Sequence, residues 1–202
     1  KFGGIAGGSS GVISECYNRG TVGTVGTVGT WWYPADVDIL AVGGIAGSTS
    51  GTIENSYNIG YINGYEYVAG IVGYARDAEI VHNYNAGEIT NYYSYDALSL
   101  GEISGTYSNE IYGYLDDEES VSVIEGNYFK ASMYRTASEE ESVEISRREE
   151  GVYRASLEEM RNPLTYDYSE EVEDFQLDST CWDFEEIWAM NLYDNDGLPF
   201  LR

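Results

Sequence analysis

The chain is poor in the groups that most enzyme chemistry uses: one histidine, two cysteines and three prolines in 202 residues. The single histidine, His82, excludes a His-Glu-x-x-His zinc site, and a histidine-based triad would have to use that residue. Cys16 and Cys181 make neither a disulfide framework nor a zinc quartet. Bases are scarce too. Ten Lys and Arg stand against 35 Asp and Glu, a formal net charge of −25. Phosphate binding is driven by clustered Lys and Arg, so this balance argues against nucleic acid or an anionic membrane surface as partner. No apolar run approaches the length that spans a bilayer, and no membrane insertion is expected. Lys1 opens directly into a glycine-rich run without a signal peptide, so any export signal is expected upstream or already removed.

What the chain has instead is glycine, tyrosine and acid, unevenly spread. Residues 1–115 hold 21 of the 24 glycines and 14 of the 20 tyrosines, with 11 acids and three bases. Residues 116–202 hold three glycines and six tyrosines, with 24 acids and seven bases. The shift in composition places a boundary near residue 130, between a repeat region at 1–130 and an acidic C-terminal region at 131–202.

The repeat has three submotifs. Phe2-Gly-Gly-Ile5-Ala-Gly7 recurs as Val42-Gly-Gly-Ile45-Ala-Gly47, as Val68-Ala-Gly-Ile71-Val-Gly73, and in weaker form as Leu100-Gly-Glu-Ile103-Ser-Gly105. Ile13…Tyr17-Asn18, Ile53…Tyr57-Asn58, Ile80…Tyr84-Asn85 and Ile124…Tyr128 follow, with an Ile-to-Tyr spacing of four in every copy. Gly20-Thr-Val22, Gly60-Tyr-Ile62 and Gly87-Glu-Ile89 close three of them. Each submotif is a β-branched or aromatic run bounded by Gly, Asn or Ser, which reads as a short strand between tight turns.

Such spacing predicts an all-β chain: a right-handed parallel β-solenoid of about four coils, one per repeat, with an acidic C-terminal α+β cap packed on the last coil. Stacking predicts apolar ladders Ile5/Ile45/Ile71/Ile103, Ile13/Ile53/Ile80/Ile124 and Val22/Ile62/Ile89, with Asn18/Asn58/Asn85 as a turn ladder. Strict alternation cannot put both Ile13 and Cys16 inside, so a bend is expected between them, with either Cys16 or Tyr17 facing the core. Two segments read as insertions: Thr21 to Pro34, with Trp31-Trp32-Tyr33, and Thr106 to Ser120, with Asp116-Asp117-Glu118-Glu119. Ser142–Ser146 and Val152–Ala155 read as a hairpin around Arg147–Gly151. Ser156-Leu-Glu-Glu159 is a capping box that starts a short helix, ended by Pro163. The N-terminal end has no comparable cap and begins inside a repeat, which leads us to expect a longer parent chain.

The repeat resembles that of bacterial surface proteins with GLUG-type motifs, closely at 2–22 and 42–62, with drift at 68–89 and poorly at 100–128. The closing Trp182-Asp-Phe184…Ile187-Trp188…Gly197-Leu-Pro-Phe-Leu-Arg202 is similar to the tail that follows such repeats. The resemblance implies an exported, adhesin-like protein of the cell surface, often modular, with no catalytic residue in the repeat. Similar repeats also stand beside the catalytic domains of zinc metallopeptidases that cleave immunoglobulin A.

Several motifs mimic active sites. Gly7-Gly-Ser9-Ser-Gly11 satisfies the nucleophile-elbow pattern, but it falls on a repeat turn where the next copy has Thr49. His82 stands where the other copies carry Glu15, Asn55 and Gly126, and reads as repeat drift. Carboxylate pairs such as Asp116/Asp117 and Glu158/Glu159 lie in solvated runs, whereas glycosidases need two at a set separation across a sugar. A lyase would need a base, and the repeat region offers only Lys1, Arg19 and Arg76. Asp194-Asn-Asp196-Gly197 reads as a polar turn before the last strand. The expectation is therefore a non-catalytic module of a larger surface protein, with no metal and no cofactor. Trp31, Trp32 and Tyr33, with the tyrosine-rich face, would contact a glycan or a host surface protein. A polysaccharide-active enzyme on the same scaffold, or an accessory segment of a surface metallopeptidase, are the alternatives.

Overall fold

The structure is a computed structural model, and it describes residues 1–23, 41–64, 67–91, 111–116, 122–130, 151–166 and 182–202. The first repeat forms β1 (Phe2–Gly3), β2 (Ala6–Ser9), β3 (Val12–Ser14), β4 (Tyr17–Asn18) and β5 (Val22–Gly23). The second forms β6 (Ala41–Gly43), β7 (Ala46–Thr49), β8 (Thr52–Glu54), β9 (Tyr57–Asn58) and β10 (Ile62–Gly64). The third forms β11 (Tyr67–Ala69), β12 (Val72–Arg76), β13 (Glu79–Val81), β14 (Tyr84–Asn85) and β15 (Ile89–Asn91). The fourth contributes β16 (Tyr112–Asp116), β17 (Val123–Glu125) and β18 (Asn127–Lys130). Beyond it come β19 (Val152–Ala155), α1 (Leu157–Met160), β20 (Trp188–Ala189) and β21 (Phe200–Leu201).

Among the described residues strands dominate, with very few helical residues, and the repeats pair in parallel, like on like. The sheets run β1-β6-β11, β16-β12-β7-β2, β17-β13-β8-β3, β19-β18-β14-β9-β4 and β15-β10-β5, with an antiparallel β20–β21 pair apart. Register follows the motif: Ile13, Ile53, Ile80 and Ile124 are mutual partners, as are Val22, Ile62 and Ile89. Parallel strands buried on one face by their neighbours favour β-branched side chains, which is why the isoleucines recur. Ile45, Ile53, Ile71 and Ile80 are fully buried. They form one inner cluster, while Val42, Ile62 and Val68 form a second.

The fourth rung of the first ladder differs from the sequence expectation. Leu100–Gly105 lies outside the described residues, and the rung beside Ile71 is Ile111. The Ile71 N–H donates to the Ile111 carbonyl at 3.2 Å, and Val72 pairs with Tyr112. The segment read as an insertion at 106–120 therefore supplies the strand β16. Ile111-Tyr-Gly113 keeps the Ile-x-Gly half of the motif but has Asn109-Glu110 in place of the glycine pair.

Asn18, Asn58 and Asn85 stack as expected: Asn18 Nδ2 donates to Asn58 Oδ1 and Asn58 Nδ2 to Asn85 Oδ1, both at 2.7 Å. Each also closes its own turn, accepting the N–H and bonding the carbonyl of the glycine two residues on. A second polar ladder runs through Cys16, Ser56, Asn83 and Asn127. The backbone N–H of each donates to the side chain of the next, at 3.1, 3.0 and 3.0 Å.

The C-terminal region does not simply cover the last repeat. Its β19 joins β18 in parallel as a fifth strand of the tyrosine sheet. The other half of the expected hairpin, Ser142–Ser146, lies outside the described residues. The capping box forms: Glu159 N donates to Ser156 Oγ at 3.2 Å and Ser156 N to Glu159 Oε2 at 2.7 Å. Residues 182–202 then lie along the flank of the repeats. No helix among the described residues is long and apolar enough to cross a membrane.

Candidate functional site

The residue before each inward polar rung has a left-handed backbone: φ is 53° at Glu15, 48° at Asn55, 55° at His82 and 60° at Gly126. That bend turns the chain between the Ile strand and the Tyr strand. It resolves the parity conflict, for Cys16 packs on the inner cluster and Tyr17 turns outward, 52% exposed. His82 is thus a member of a conformational column, in which Asn, His and Gly are the residues that tolerate positive φ best.

Outward-facing tyrosines stack on one another. Tyr17 and Tyr57 lie 5.2 Å apart at 12°, and Tyr57 and Tyr84 lie 5.0 Å apart at 1°. The C-terminal segment is laid over this column. Trp188 sits 6.1 Å from Tyr57 and 6.0 Å from Tyr84, and Trp182 sits 5.8 Å from Tyr128. Polar atoms fix the aromatic layer in place. Tyr84 donates its hydroxyl to the Pro199 carbonyl at 2.6 Å and accepts from Asn195 Nδ2 at 2.7 Å. Trp182 Nε1 donates to the Gly126 carbonyl at 2.9 Å, and the Tyr128 hydroxyl to the Thr165 carbonyl at 2.8 Å. At the first repeat, Arg19 reaches Asn195 Oδ1 at 3.1 Å and covers the Tyr17 ring. Burial first, then the neighbouring Tyr57 and Tyr166 hydroxyls, push the Tyr84 pKa well above the usual tyrosine range, so it stays a donor.

This placement corrects the expected contact surface. Tyr57, Tyr84 and Tyr128 are 2%, 0% and 4% exposed, so most of the column is the seat of the chain's own C-terminal segment. Trp31, Trp32 and Tyr33 lie outside the described residues. A different tyrosine pair remains half-buried at the surface: Tyr67 and Tyr74, with ring centroids 6.0 Å apart and the Lys1 amine 5.9 Å from the Tyr74 ring. Beside it, at the outer end of the first repeat, an open depression is bordered by Lys1, Phe2, Gly4, Asn18 and Val22.

The residues that mimic active sites have structural partners. Ser9 Oγ accepts the Gly11 N–H at 3.2 Å, as Thr49 Oγ1 accepts that of Gly51 at 3.1 Å. The elbow-like sequence is a hydroxyl-closed turn repeated in the second copy. His82 Nε2 is buried with no hydrogen-bond partner, its ring 6.4 Å from that of Trp182. Burial lowers its pKa, opposed by the Glu54 carboxylate. Cys16 is free, its thiol pushed up by burial and by Glu15. The Asp194–Gly197 turn precedes β21, and Arg161 Nε donates to the Asp196 carbonyl at 2.7 Å. Among the described residues no group of three His, Cys, Asp or Glu could hold a metal ion.

Sequence reasoning overlooked the Cys16/Ser56/Asn83/Asn127 ladder. Its signal was a small polar residue immediately before every repeat tyrosine. No family model, no curated protein and no solved structure matches the chain.

Proposed function

We propose that the chain is a right-handed parallel β-solenoid of about four coils, of the GLUG-repeat kind, and that it acts as a non-catalytic module. On this reading it belongs to a larger bacterial surface protein and holds contact loops on a rigid scaffold at the cell surface. The observation that carries the reading is how the recurrent polar side chains are used. Asn58 and Asn83 bond the neighbouring repeats, and Ser9 and Thr49 close turns. The repeat chemistry is thus committed to holding the stack, and recognition falls to the segments between repeats. Those include Trp31-Trp32-Tyr33, and the Tyr67/Tyr74 surface of the third repeat adds to them; amphipathic rings give large contact area at low entropic cost. The acidic balance favours a neutral glycan or a basic protein patch, and binding of the latter weakens with salt.

A glycan and host-protein array tests this. The expected result is binding without turnover, reduced at least about tenfold by Trp31→Ala/Trp32→Ala, as loss of aromatic anchors predicts, while thermal melting stays unchanged. Cleavage of a polysaccharide that stops when one carboxylate pair is replaced by amides would overturn the proposal.

A further inference from the structure

We infer that the outer end of the first repeat is a docking face for one more repeat of this same pattern, parallel and in line ahead of Lys1. The inference rests on the stacked reading above and goes further, because it assigns a face and its occupant.

The glycines carry the argument. Where one described repeat meets the next, glycines are needed because the neighbour's backbone lies where a Cβ would be. A Cβ on Gly60 would collide with the Gly20 carbonyl, one on Gly87 with the Gly60 carbonyl, and one on Gly51 with the Gly11 carbonyl. On Gly47 it would lie 2.6 Å from Phe2 N, and on Gly73 2.5 Å from Val42 N. The matching glycines of the first repeat have no such constraint. A Cβ on Gly20 would come no closer than 3.6 Å to Asn18 Oδ1, and one on Gly7 no closer than 3.4 Å to the Lys1 carbonyl. Around Gly11 nothing lies within 4 Å. None of the three has a positive φ. Their spacing fits the backbone of a preceding repeat, as Gly47, Gly51 and Gly60 fit the first.

The side chains agree. Phe2 and Ile5 are 44% and 48% exposed, whereas Val42 and Ile45, one repeat on, are fully buried. Terminal repeats of stable arrays ordinarily turn a polar face outward, and free strand edges carry charges or bulges. All five strands β1–β5 are edge strands of their sheets. In the Asn ladder each Oδ1 receives the Nδ2 of the preceding repeat, as Asn58 does from Asn18. Asn18 Oδ1 accepts the Gly20 N–H and faces the same way.

The opposite end favours an in-line repeat over a second copy of the chain. There, among the described residues, β19 adds a further strand to the tyrosine sheet, while the other sheets end at β11, β15, β16 and β17. That stepped edge does not mate flush with β1–β5. The interval from Ile45 to Ile71 is shorter than those from Ile5 to Ile45 and from Ile71 to Ile111, and so supplies the compact repeat used as the occupant in the test.

The test fuses a second copy of residues 41–66 directly ahead of Lys1, so that Glu66 meets Lys1 as it meets Tyr67. Melting and amide exchange are compared with and without Gly20→Ala and Gly60→Ala. In the original chain, Gly60→Ala should lower Tm and Gly20→Ala should leave it unchanged. In the fusion, Gly20→Ala should lower Tm about as much as Gly60→Ala does, and the amides of β1–β5 should exchange at least about tenfold more slowly. Equal tolerance of Gly20→Ala in both chains, with unaltered exchange, would overturn the inference and leave the stacked reading intact. A neutral Gly60→Ala would remove the stacked reading itself. Head-to-tail oligomers of the original chain in sedimentation, dispersed by Gly20→Ala, would show the occupant to be a second copy and overturn the in-line assignment.

Discussion

Asn58 shows how much one amide can hold when a turn recurs in register. Its Nδ2 donates to Asn85 Oδ1 and to the Gly60 carbonyl, and its Oδ1 accepts from Asn18 Nδ2 and Gly60 N. An unmet buried polar group costs about 1–3 kcal/mol. Asn58→Ala should therefore lower urea-unfolding stability by about 2–4 kcal/mol, more than the truncation of the end-of-ladder Asn18. The left-handed column makes a contrasting prediction. A left-handed backbone costs an L-residue about 1–2 kcal/mol, part of which glycine returns as unfolded-chain entropy. Glu15→Gly should accordingly raise stability by up to about 1 kcal/mol, and Glu15→Val should lower it. His82 adds a pH dependence. Its folded pKa lies below the ordinary value, chiefly through burial, so as pH falls below about 6.5 the unfolded chain takes up the proton first. The His82 contribution is complete above that pH and is lost as pH drops through the folded value. Denaturation between pH 7 and 5 should show this slope, and His82→Asn, which suits the left-handed position, should remove it.

At the scale of elements, the segment carrying Trp182 and Trp188 is the part whose loss exposes most. Trp188 is fully buried, packs on Tyr57 and Tyr84, and directs its indole N–H toward Asn55 Oδ1 at 3.4 Å. Trp188→Ala should cost about 3–5 kcal/mol, read by tyrosine quenching and urea unfolding. Deleting 156–202 should produce aggregation, visible in light scattering, because it uncovers the stacked tyrosines. Much of the register was legible in the sequence. In a parallel pairing of like on like, the spacing of Ile, Asn and Val directly states which residues become neighbours. Ile111 was hidden because its repeat lacks the glycine pair, while Leu100–Gly105 imitates the full motif. The bend at Cys16 was hidden because Glu15 is not a residue that announces a left-handed turn, and the signal lay only in Asn55, His82 and Gly126 at the matching positions. The covering of the tyrosines could not be read from periodicity, which tells which side chains face outward but not which distant segment meets them.

For the molecule as a whole, charge opposes compactness. A net charge of −25 is set against ion pairing as weak as the exposed Arg76–Asp77 contact at 3.8 Å. Exposed pairs of this kind contribute little, so self-repulsion dominates the surface electrostatics. Raising NaCl from about 10 mM to 0.5 M shortens the screening length severalfold and should raise Tm, as scanning calorimetry would show. The C-terminal segment bears on how that melting proceeds. A row of repeats that touch only their neighbours can fray from either end, one unit at a time. Here Asn195 reaches Arg19 in the first repeat and Tyr84 in the third, Trp188 touches the second and third, and Trp182 holds the fourth. A single strap thus ties units that are not adjacent, so that releasing the end repeat also loosens the strap's hold on the others. The one-dimensional zipper is turned into a bundle that comes apart all at once or not at all.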